Sequence, residues 1–160
     1  MKHIQAAIEK IISEATIDDL VHRSKFRDRK RGERLQAKFI GTRGKNIVIY
    51  QCGSSGQLWT QTIQLGLLGK KDITMPAIRK ALLYNVLVHC DCPMFKYGGY
   101  QYIVTSLKAA IEGQEELRYP KIRNPHLVGA LCKHLCRVLT TMQYTTKDIY
   151  NSFKQRQEKG

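Results

Sequence analysis

The sequence predicts an α+β domain built as a small antiparallel sheet with a cysteine-bearing knuckle and flanking helices. Three observations lead there. Residues 35–65 alternate β-branched and aromatic runs with the glycine-bearing turns GTRGKN and GSSG. Apolar residues recur at helical spacing near both ends of the chain. Four of the five cysteines fall in two short segments, HCDCP at His89–Pro93 and CKHLC at Cys132–Cys136.

In chain order, Met1–Ala15 reads as an amphipathic helix with Ile4, Ile8, Ile11 and Ile12 on one stripe. Asp18 and Asp19 open a second short helix carrying Leu20 and Val21. Between Arg23 and Lys45 lies a basic run: Arg23, Lys25, Arg27, Arg29, Lys30, Arg31, Arg34, Lys38, Arg43 and Lys45, opposed only by Asp28 and Glu33. Such a run is either a solvated linker or a contact for phosphates or an acidic protein. Residues 1–34 therefore form an N-terminal helical segment and basic arm, and 35–160 the α+β domain with C-terminal helices.

Leu35–Ile40, Asn46–Cys52 and Gln57–Leu65 predict a three-stranded meander, with Phe39, Ile47, Ile49, Trp59, Ile63 and Leu65 in buried contacts. Cys52 reads as a structural thiol away from the cysteine pairs. Pro76–Leu83 predicts a short helix, and Tyr84–His89 a further strand that delivers Cys90 and Cys92 to the sheet edge. From Gly99, the positions Tyr100, Ile103, Leu107 and Ile111 keep helical spacing, with Gly98–Gly99 allowing a bend at the start. Phe95, Tyr97, Tyr100 and Tyr102 are either base-stacking aromatics or packing for the knuckle. Residues 112–125 predict a loop, extended at RYPKIRNP because two prolines disfavour helix before them. His126–Met142 returns to helical periodicity through Leu127, Leu131, Leu135 and Val138, and Thr145–Lys159 to a last helix with Ile149 and Phe153.

On an extended backbone, thiols at i and i+2 project from the same side. Cys-x-Cys, the 39 residues Pro93–Leu131, then Cys-x-His offer three thiolates and an imidazole. That donor set closes a tetrahedron and suits structural zinc, so the knuckle is a predicted zinc knuckle. The plainer alternative is a set of buried cysteines, with or without a disulfide. An odd cysteine count and the reducing cytosol count against a disulfide framework. On a helix, i and i+2 lie about 200° apart. Cys132 and His134 can therefore share an ion only if the helix begins near Cys132. Otherwise Cys136, at i+4, replaces His134. His89 and His126 are spare histidines, surface or core.

Net charge is +14 from 27 Lys and Arg against 13 Asp and Glu, which implies an acidic partner and says nothing about fold. No apolar run reaches membrane-spanning length and the first ten residues lack a secretory core, so a soluble intracellular protein with no membrane contact is expected. No phosphate-cradling glycine loop, paired carboxylates or nucleophile–base arrangement is evident, so no catalytic residues are assigned and a non-enzyme is expected.

Cys-x-Cys followed by Cys-x-His resembles the SWIM-type zinc finger, which implies Cys90, Cys92, Cys132 and His134 as ligands. Across Asn85–Leu139, the phrases HCDCPMFKYGGYQYI, RYPKIRNP and CKHLCRVL also resemble small structural proteins of tailed bacteriophages. That resemblance implies a virion component of head, neck or tail, present in multiple copies in a symmetric assembly and docked on other virion proteins. It would lie in the host cytoplasm only during assembly. The alternative is a SWIM-type nucleic-acid-binding protein that uses the basic run on phosphates. The two overlap where a virion protein makes non-specific contact with packaged DNA.

Overall fold

The computed structural model describes residues 15–54, 56–68 and 73–159; the helix expected over Met1–Ala15 lies outside them except for Ala15. Among the described residues are seven helices and one four-stranded antiparallel sheet. They run α1 (Ile17–Arg23), α2 (Phe26–Glu33), β1 (Gln36–Arg43), β2 (Ile47–Ser54), β3 (Gln57–Leu65), α3 (Met75–Leu82), β4 (Val86–Cys90), α4 (Pro93–Tyr97), α5 (Tyr100–Ser106), α6 (Lys133–Met142) and α7 (Thr146–Lys159).

Strand order follows the sequence, β1-β2-β3-β4. The β1–β2 turn needs Gly44 at φ 62° and the β2–β3 turn Gly56 at φ 90°, both left-handed and cheap only for glycine. The β-branched run of β2 shows no polar alternation, and the structure buries the opposite face from the one expected. Val48, Tyr50 and Cys52 are fully buried, whereas Ile47 and Ile49 are half-buried on the other side. The partners on β3 explain this. Val48 stands opposite Ile63 and Tyr50 opposite Gln61, while Ile47 and Ile49 face Gln64 and Thr62. Ile63 and Leu65 are buried as expected, and Phe39 and Trp59 pack half-buried against the core.

Helix α6 crosses the core face of the sheet and touches all four strands, with α1 and α2 packed on its other side. The basic run is thus folded in its first part as α2. Gly32 is buried where α2 crosses α6, and a Cβ there would sit 2.7 Å from the Lys133 carbonyl. Helix α1 starts with a capping box between Thr16 and Asp19. It joins the sheet through Val86 N–H donating to Ala15 O at 3.0 Å. Helix α7 closes the β1 edge, where the Thr42 and Ser152 hydroxyls pair at 2.7 Å. The β4 edge is met by Val88 N–H donating to Ala109 O, so both edges are covered.

Two helices are shorter than their periodicity suggests. The helix from Gly99 ends at Ser106, leaving Leu107 as its cap and Ile111 outside. The helix expected from His126 begins only at Lys133. Leu127 at φ 51° and Gly129 at φ 86° cannot be helical, and buried Asn124 holds this loop by bonds to both the N–H and the C=O of Val128.

Candidate metal centre

Antiparallel pairing sets Cys90, the last residue of β4, opposite Gln61 of β3. The chain then turns so that Cys92 caps α4 with extended backbone, and Pro93 takes the first helical position, where a missing N–H costs nothing. The Cys92 sulfur accepts the Phe95 N–H at 3.4 Å. Phe95 is buried beneath the turn, edge-on to His89 at 5.6 Å between ring centroids.

The second pair comes from the start of α6. Cys132 is the N-cap, with φ −71° and ψ 167°, and the helix proper begins at Lys133. The extended Cys132 and the helical His134 then reach the same point. Cys90, Cys92, Cys132 and His134 are all buried, and their ligand atoms lie within 4.8 Å of one another. Zinc–sulfur bonds of about 2.3 Å at tetrahedral angles put ligand atoms about 3.7 Å apart, so only slight contraction is needed to enclose an ion. Nδ1 of His134 is buried without a hydrogen-bond partner. Left unused, such a nitrogen costs about 1–3 kcal/mol; as a metal donor it costs nothing. The residues present fit a metal. Cys136, the rival, is buried one turn on beside Ser24 and outside the cluster.

Hydrogen bonds from Cys132 and Cys90 hold Cys92 far below the usual thiol range. Cys132 also lowers Cys90, but bonding to Cys92 and burial outweigh it and push Cys90 up to about 12. Burial drives Cys132 up as well. Three buried thiols around one point resist ionising together, so a cation is required before all three become thiolates. Gln61 supplies an N–H to the Cys90 sulfur at 3.5 Å and to Trp59 O at 2.8 Å, which orients it toward the site. No cysteine among the described residues is in a disulfide.

The remaining candidates separate. His89 is buried, with its pKa lowered by burial and its ring 3.2 Å from Asp91; His126 is exposed. Cys52 is buried in β2, and burial raises it to about 11. Within the basic run, Arg43 and Lys45 sit at the β1–β2 turn, and Lys38 and Arg34 are exposed near β1. Arg23 donates to Gly129 O, Lys30 pairs with Glu33 at 3.6 Å, and Arg29 is half-buried. Lys25, Arg27 and Arg31 converge on a cleft of about 440 Å³ beside α4, joined by Arg123. Sequence reasoning left Arg123 out, although it lies in the RYPKIRNP phrase. Of the four aromatics, Phe95 and Tyr100 are buried, Tyr102 is half-buried and Tyr97 is exposed.

No family model matches this chain, and no curated protein or solved structure matches it. Among the described residues no helix is long and apolar enough to cross a membrane.

Proposed function

We propose that Cys90, Cys92, Cys132 and His134 hold one structural zinc ion, and that the zinc-stabilised fold is a structural component of a bacteriophage virion docked on neighbouring subunits. The observation that carries the zinc reading is the closed set of four buried donors, with Nδ1 of His134 buried and without a hydrogen-bond partner. Three thiolates and an imidazole complete a tetrahedron and leave no position for a reacting water, so the ion would hold the fold together and carry out no catalysis. The virion reading is supported by the resemblance across Asn85–Leu139. Large exposed apolar side chains at Leu83, Leu117, Ile122 and Tyr144 give neighbouring subunits something to cover.

Native protein should contain about one zinc per chain, and Cys90→Ser should lose metal and stability together. His134→Ala should lower zinc affinity far more than Cys136→Ala. Absence of zinc, or the reverse order of the two variants, overturns the metal reading. Purified phage particles should contain the chain, and its absence from them overturns the virion reading.

A second reading is favoured by the cleft beside α4. There Lys25, Arg27 and Arg31 meet Arg123, and among the described residues none of the four has a carboxylate within ion-pairing distance. On this reading the basic segment contacts nucleic-acid phosphates without reading sequence.

A further inference from the structure

Two clefts flank Tyr97. The first is the basic one, about 440 Å³; the second, about 230 Å³, is lined by Lys96, Tyr102 and Tyr119. Tyr97 lines both and is 66% exposed, so its ring stands as a partition between them. It occupies the last turn of α4, the short helix that Cys92 caps, five residues from that candidate ligand.

The charge on this surface is compensated only in part. Asp28, the carboxylate in the basic cleft, accepts the Tyr100 hydroxyl at 2.5 Å and is not ion-paired with Arg27 or Arg31. In the second cleft Arg118 is held by Glu116 at 3.0 Å, leaving Lys96 as its free cation among the described residues. Tyr102 and Tyr119 meet edge to face at 5.5 Å and wall that side with aromatic surface.

We propose that these two clefts form a single track for single-stranded nucleic acid, with phosphates on Lys25, Arg27, Arg31 and Arg123 and a base stacked on Tyr97. The proposal rests on the second reading above and narrows it. A row of cations alone fits any polyanion. An exposed ring set between cations adds a face for an unpaired base, and a duplex has no such face to offer because its bases stack on one another. An acidic peptide needs the cations but has no requirement for an exposed ring between them.

The test measures anisotropy of a labelled oligothymidylate of about 15 nucleotides, and of a duplex of equal length, over a series of salt concentrations. The parent should prefer the single strand. Tyr97→Ala should weaken single-strand binding about 5- to 150-fold and leave duplex binding unchanged. Combining Arg27→Ser, Arg31→Ser and Arg123→Ser should flatten the single-strand salt slope by about two units, roughly 0.7 for each phosphate lost. These four side chains are exposed, so zinc content and melting temperature should match the parent in both variants. If only the triple variant weakens binding, the single-strand track is wrong and the phosphate reading survives. If neither variant changes binding, or the parent does not bind, both fall. Polyglutamate competing more strongly than the oligonucleotide would make the cleft a seat for acidic protein and overturn the proposal.

Discussion

Gly32→Ala adds one methyl group at the point where α2 crosses α6. Its carbon would lie 2.7 Å from the Lys133 carbonyl oxygen, 3.4 Å from the Arg137 nitrogen and 3.6 Å from Cys136 Cβ. The closest neighbour is backbone, so no side-chain rotation relieves the contact and one helix must move. Overpacking of this kind costs about 1–3 kcal/mol. Alanine returns at most about 1 kcal/mol of helix propensity, and less at Gly32, the next-to-last residue of its helix. The net cost is about 1–2 kcal/mol, or about 2–8 °C in melting temperature for a chain of this size. Thermal unfolding followed by circular dichroism reads this directly. Lys133 lies between Cys132 and His134, so displacement of α6 should also weaken zinc retention against a chelator, by about tenfold if about 1.4 kcal/mol falls on the site. Gly41→Ala, where an added carbon meets nothing within 4 Å, is the control and should melt within a degree or two of the parent. A Gly32→Ala protein melting at or above the parent temperature refutes the packing argument.

Gln61→Met should weaken zinc binding about 10- to 100-fold by removing the N–H that reaches the Cys90 sulfur. The metal-free protein should lose less, because the lost bond to Trp59 O is offset by removing Oε1 of Gln61, which is buried without a partner; unchanged affinity in a chelator competition would show that the contact is idle. Alkali should destabilise the fold. Burial raises Cys52 from 9.0 to about 11 and Tyr50 from 10.0 to about 12. The unfolded chain therefore gives up these protons first, and the stability they contribute is whole below about pH 9 and lost as pH rises through about 11–12. The guanidinium midpoint should drop between about pH 8 and pH 10.5, and less so in Cys52→Ala; an equal drop in that variant would exclude the thiol as a cause.

Much of the site was legible because its requirements are local. Cys-x-Cys at the end of a strand and Cys-x-His at the start of a helix each fix two donors with a few dihedral angles, and the structure brings all four together. The helix start at Lys133 was legible only through that geometric demand, since the periodicity from His126 ran straight past it. The signals against that periodicity were Gly129, which takes positive φ, and Asn124, whose side chain bonds Val128 in place of a helical partner. The buried face of β2 was not legible, because a run such as Ile47–Tyr50 is apolar on both sides and the choice falls to its neighbours on β3. The basic cleft was half legible: the cations of α2 stand out in sequence, but Arg123 joins them only through a fold that spans about ninety residues.

The donors of the candidate metal centre lie on either side of the 39 residues Pro93–Leu131, and this has a consequence during synthesis. The chain is made in one direction at about 5–20 residues per second, so Cys90 and Cys92 leave the ribosome about two to eight seconds before Cys132 and His134. In that interval β4 can already pair with β3, yet it ends in two thiols with half a coordination sphere. An ion gripped by all four donors is captured only after the start of α6 has emerged and crossed the sheet. Closure of the centre is therefore a late step that reports on the sheet, the loop and α6 at once.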